Sequence, residues 1–211
     1  MSMAVHAGEE HAPKKGIKDN GLLGVWLGLI SFTFTFAVFI VSNVYLRGWS
    51  PDVFNVTLPA DVQDLVNYNV LLLVALGVLT LAGGISYKKR KDGLAFGLLA
   101  LAMIAAIGYV VIDWSLIQSY RSLGPAAWTA YVIVQAIMEI LVLICIVLYL
   151  RAFYFKMRNN EKALNRFIPG ATAVWIYTVI MGLFVFIQCD LIEIGQFAEW
   201  CGIKLSQLGK L

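Results

Sequence analysis

Apolar residues fall in five long runs separated by short polar segments. The first extends from Gly21 to Leu46 and meets no charge until Arg47. The second covers about Leu65 to Tyr87 and stops at Lys88-Lys89-Arg90-Lys91. The third begins at Gly93 and fades near Gln118, with Asp113 inside it. The fourth runs from about Ala126 to Leu150 around Glu139, and the fifth from about Ile168 to Ile187. A helix rising ~1.5 Å per residue crosses ~30 Å of hydrocarbon in each of them. The two-residue alternation of a β-barrel is absent, which leaves helices as the spanning element. The pattern therefore predicts an all-α integral membrane bundle of five transmembrane helices, residues 21–190. A polar tail, 1–20, precedes it, and the first run is long enough to span rather than be cleaved as a signal peptide. Residues 191–211 carry Leu191, Ile194, Phe197, Trp200 and Cys201 at roughly helical spacing and predict an amphipathic tail on the outer face.

Charge gives these spans a direction. Twelve of the sixteen Lys and Arg residues collect on one side, in the first tail, in Lys88–Lys91 and between Arg151 and Arg166. Only Arg47, Arg121, Lys204 and Lys210 fall on the other. The positive-inside bias puts the amino terminus in the cytoplasm and the carboxyl terminus outside. Aromatic residues at span ends, among them Tyr45, Trp49, Trp114, Tyr120, Trp128, Tyr149 and Tyr154, are expected as interfacial anchors.

Composition agrees with lipid as the solvent: 60% hydrophobic, 14% charged, mean hydropathy +0.79. After five spans, 211 residues leave no room for a soluble catalytic domain. A net charge of +3 is too small to point to nucleic acid. Cys145, Cys189 and Cys201 lack C-x-x-C spacing and read as small apolar residues. Both histidines, His6 and His11, lie in the polar tail. Haem b, copper or zinc held within the bundle needs imidazole, thiolate or thioether ligands, and isolated span methionines such as Met103, Met138 and Met181 read as packing. No catalytic or metal-ligating residue, and no cofactor bound by this chain, is expected.

The polar groups inside the spans remain. Glu139 lies near the middle of the fourth, one turn after Gln135. A carboxyl there must be neutral, paired or facing a wet cavity, so the pair reads either as proton or ion handling or as a helix-to-helix hydrogen bond. Asp113, followed by Trp114 and Ser115, is expected to lean outward to the headgroups. Asn43 and Ser42 read as interhelical glue, and Gly77, Gly83 and Gly84 as points of close helix approach. Asn55-Val56-Thr57 fits a glycosylation acceptor, a pattern too short to carry weight.

One arrangement stands out. Trp26-Leu27 and Ser31 lie in the first span, a Pro-containing loop follows, the second span ends on a basic cluster, and Ser122-Leu123-Gly124-Pro125 follows the third. In span count, loop length and direction the chain resembles the five-span form of subunit III of haem–copper oxygen reductases over roughly 21–187. The motifs depart from the family's. Phe32 stands where the first-span glutamate belongs, and Asp113-Trp114-Ser115-Leu116-Ile117 lacks the third-span glutamate. Gln135-Ala136-Ile137-Met138 replaces a His-Gly-x-His pattern, and Trp175 alone is kept from Trp-His-Phe-x-Asp. The resemblance implies a divergent, non-catalytic accessory subunit of a respiratory oxidase in a bacterial or archaeal inner membrane. Such a subunit packs beside a subunit I-like catalytic chain that carries haem and copper, and it holds phospholipid. Two other readings stay open: a small transporter or channel component using Glu139 and Asp113, and a transient oxidase assembly factor.

Overall fold

The computed structural model describes residues 20–54 and 58–191. Among them there is no strand, and five helices are long and apolar enough to cross a membrane. They are α1 (Asn20–Trp49), α2 (Ala60–Lys88), α3 (Asp92–Ser122), α4 (Pro125–Met157) and α5 (Glu161–Phe186). The chain is thus a multi-pass membrane protein in its architecture. The expected tails, the Asn55 acceptor and Cys201 lie outside the described residues.

Most helices outrun the apolar segments that mark them. The fifth starts at Glu161 rather than Ile168 because Asn160 caps it, its Oδ1 accepting from Ala163 N at 3.1 Å. The turns on the basic end share one device. Arg90 (φ 57°) and Asn159 (φ 49°) are left-handed. Lys91 N reaches back to Ser86 O and Asn160 N to Phe155 O, closing α2 and α4 with Schellman motifs. At the opposite end Gly124, at φ 111°, admits a turn that other residues resist, and Pro125 then opens α4.

Helices α2, α3, α4 and α5 close a ring: α2 packs on α3 and α5, and α4 on α3 and α5. Helix α1 lies outside this ring against α5 and α4. Its buried stripe, Leu29, Phe36, Ile40, Asn43 and Arg47, recurs every three, four or seven residues, as one helix face requires. Small residues set the close approaches. A Cβ on Gly77 would stand 2.9 Å from Val179, and one on Gly83 would stand 3.1 Å from Leu99. Gly182, which the sequence did not single out, is tighter still, with Leu73 and Met138 filling the space of a side chain.

Two apolar clusters fill the bundle. One, toward the Gly124 end, holds Phe36, Val66, Leu116, Tyr131 and Met138. The other, toward the basic end, holds Leu73, Leu99, Tyr109, Val142 and Trp175. Two expected interfacial anchors prove to be core residues. Tyr120 stacks on Tyr131 at 5.1 Å, and Tyr149 stacks on Trp175 at 4.3 Å while sharing a 2.5 Å hydrogen bond with Thr80. Both tyrosines are fully buried, because their helices extend beyond the apolar runs and each faces a neighbouring aromatic. Trp49, Trp114, Trp128 and Tyr154 remain exposed.

Candidate functional site

The two apolar clusters meet at a polar layer. On α2, Asn69 lies between Val66 of one cluster and Leu73 of the other. On α3, Asp113 lies between Leu116 and Tyr109. Each is nine residues in from the Gly124 end of its helix, about 13 Å along the axis. Antiparallel pairing of α2 and α3 brings them together, and Asn69 Nδ2 donates to Asp113 Oδ1 at 3.0 Å. Asp113 therefore does not lean out to the headgroups. It is 0% exposed, because its register on α3 turns it toward α2.

Among the described residues, two oxygens in this layer have no hydrogen-bond partner, Asp113 Oδ2 and Asn69 Oδ1. Asn69 also lines a small cavity, about 20 Å³, together with Tyr109, Gln135 and Gly182. Gln135 is buried, as its place on the inner face of α4 requires. Glu139 lies one turn on and only partly buried, with no hydrogen-bond or ion-pair partner among the described residues. Its carboxyl is near enough to act electrostatically on both Asp113 and Tyr109. Of the two readings open for Glu139, a hydrogen bond to a neighbouring helix is not seen among the described residues. The acids that the sequence singled out do share one neighbourhood, and Asn69 is the member that sequence reasoning missed.

Asn43 acts as expected, and its partners explain two helical irregularities. The backbone widens to π-helical turns at Trp128–Val132 and Ile187–Leu191. Such turns disturb the i→i−4 ladder and expose carbonyls. Asn43 Nδ2 donates to Ala130 O in the first turn. Arg47, one turn further along α1, donates from Nη1 to Gln188 O in the second at 3.0 Å and lies over the Tyr131 ring. Gln188 Nε2 completes the clasp on Asn43 Oδ1 at 2.7 Å. Ser42, by contrast, is exposed and bonds back to Val38 O at 2.9 Å, so it joins no helices. Thr35 does the same on Ser31 O, while Thr33 also reaches Tyr177 on α5 at 3.0 Å.

At the basic end, α2 and α5 part to form an open cleft of about 840 Å³. Leu81, Ile85 and Ile168 line its depth, and Lys88, Arg90, Asp92 and Glu161 its mouth. Tyr87 donates to Asn165 Oδ1 across it at 2.6 Å. Pro169 lies on the wall and has no N–H for the carbonyl of Asn165. Beside the mouth, Lys156 pairs with Asp92 at 2.5 Å and ties α4 to α3. Cys145 packs as a small buried residue against Thr178 at 3.3 Å. No protein-family model matches the chain, and no curated protein is detectably similar to it.

Proposed function

We propose that the chain is a non-catalytic accessory subunit of a respiratory haem–copper oxidase-type complex, packing beside the catalytic subunit and holding phospholipid. The observation that carries this reading is the α2–α5 cleft. Its depth is apolar, and its mouth offers Lys88 and Arg90 beside Asp92 and Glu161. An acyl chain suits the depth. A zwitterionic headgroup suits the mouth, its phosphate toward the two bases and its amine toward the two acids. The positive-inside bias would set that mouth in the cytoplasmic leaflet, with the amino terminus inside and the carboxyl terminus outside, in a bacterial or archaeal inner membrane.

Purification in mild detergent tests both halves of the reading. The expected result is recovery in fixed proportion with haem-containing subunits, with phospholipid retained at a constant ratio by mass spectrometry. Thr172→Phe, which fills the cleft wall, is expected to lower that ratio. Haem or copper bound to the isolated chain, or recovery with no oxidase subunit, would overturn the proposal. A second reading, as a transporter or channel component, draws on Asp113 and Glu139 within the spans. Solute or ion flux in vesicles containing only this chain would favour it.

A further inference from the structure

We propose that Asp113 is a proton-binding site inside the bundle: it carries a proton on Oδ2 at neutral pH and donates it to Asn69 Oδ1. The inference stands on the contact between α2 and α3 and uses neither the lipid cleft nor the small cavity. Asn69 Nδ2 already donates to Asp113 Oδ1 at 3.0 Å. Each partner of that bond keeps one buried oxygen that meets no donor among the described residues, Asp113 Oδ2 and Asn69 Oδ1. Asp113 is 0% exposed and Asn69 4%, so bulk solvent does not reach them. An ionised carboxyl is an acceptor only, and it leaves both oxygens unmet, which is costly in an apolar interior. A protonated one offers an O–H beside an acceptor oxygen. A primary amide likewise offers N–H beside an acceptor oxygen. One added proton therefore satisfies both orphaned atoms and turns a single bond into a reciprocal pair.

Charge points the same way. A buried carboxylate with no cation beside it takes up a proton instead of keeping its charge. Helices α2, α3, α4 and α5 carry their Lys and Arg only near their ends. Arg121 stands about 12 Å further along α3 and is exposed, and Arg47 of α1 donates to Gln188 O. The titratable groups that bear on Asp113 are Tyr109 on its own helix and Glu139 on α4. From α2 comes the Asn69 amide, and beside that amide α5 presents Gly182, Val185 and Phe186. None of these is a cation, and an ionised Glu139 opposes a second negative charge on Asp113. A water molecule donating to both oxygens would complete the hydrogen bonds and leave the charge uncompensated. The ligand that answers both needs is a proton.

Infrared spectroscopy of the purified full-length chain in detergent at neutral pH tests the site, because a protonated carboxyl has a carbonyl band that a carboxylate lacks. Such a band is expected in the wild type, absent from Asp113→Asn and retained in Glu139→Gln. The double variant Asn69→Asp/Asp113→Asn, which exchanges acid and amide, is expected to regain it. Thermal unfolding supplies a second readout. Asp113→Asn keeps a neutral side chain with a donor and an acceptor, so its Tm is expected to stay within a few degrees of wild type. Asp113→Leu leaves the Asn69 amide without its partner and is expected to lose clearly more. A wild-type spectrum with no protonated carboxyl would overturn the proposal and point to a carboxylate held by water. So would a band that survives Asp113→Asn or disappears in Glu139→Gln, since the proton would then sit elsewhere.

Discussion

Gln188 Nε2 donates a 2.7 Å hydrogen bond to Asn43 Oδ1, joining two side chains 145 residues apart in the chain. Asn43 passes the connection on to Ala130 O, so one amide holds three helices together. Replacing Asn43 by Leu leaves the Ala130 carbonyl and the Gln188 amide buried without it. A loss of about 1–2 kcal/mol is expected, since Asn43 makes two interhelical hydrogen bonds and each averages about 0.6 kcal/mol in membrane proteins. Reversible unfolding in mixed micelles measures it. Ser42→Ala, one residue away but bonded only to its own helix, is expected to change stability by less than about 0.5 kcal/mol.

Close helix approach gives a second pair of expectations. At Gly182 the side-chain volume is already occupied by Leu73 and Met138, and at Gly77 by Val179. Gly182→Val is expected to destabilise by about 1–3 kcal/mol through overpacking. Gly24 meets nothing within 4 Å, and Gly24→Ala is expected to be neutral or slightly stabilising through helix propensity. Tm values of the two variants in one detergent provide the comparison.

The Tyr149–Trp175 stack separates packing from hydrogen bonding. Tyr149→Phe keeps the 4.3 Å stack and loses only the bond to Thr80, with an expected cost near the ~0.6 kcal/mol average for such bonds. Trp175→Ala opens a void in a fully buried site, and about 3–5 kcal/mol is expected. Equal losses from the two variants would show that the aromatic contact does little.

Arg90 stands in the left-handed region at the close of α2, where glycine has no steric penalty. Arg90→Gly is expected to stabilise the chain by about 0.5–1 kcal/mol, read as a higher Tm. The same change at Asn159 is expected to gain less, since asparagine tolerates this conformation better.

The spans were legible because each is a run of apolar residues longer than any soluble helix needs, and lipid leaves helices as the way to satisfy the backbone. Gly77, Gly83 and Asn43 were legible for a related reason: in an apolar run, a small or polar residue has few roles besides contact. The partner of Asp113 was not. Asn69 lies on another helix, and only the register between α2 and α3 decides whether the two residues meet. Tyr120 and Tyr149 misled in the same way. Their positions near the ends of apolar runs fit anchors, but rotation about the helix axis turns both inward. The start of α5 did carry a signal, the Asn160 cap, in a polar stretch that hydropathy alone treats as loop.

The clasp at the Gly124 end links the beginning of the chain to its far side. Helix α1 is synthesised first, yet its polar residues Asn43 and Arg47 find Gln188 only after α5 has been made. The ring of α2 to α5 packs around its own contacts, and α1 joins it both at Ala130 and Tyr131 of α4 and at Gln188 beyond α5. A chain ending before Ile187 would lack the Gln188 carbonyl to which Arg47 Nη1 donates and the Gln188 amide that meets Asn43. The clasp therefore ties the first helix to the last described turn of the chain, and its full set of hydrogen bonds exists only in a product that includes Gln188.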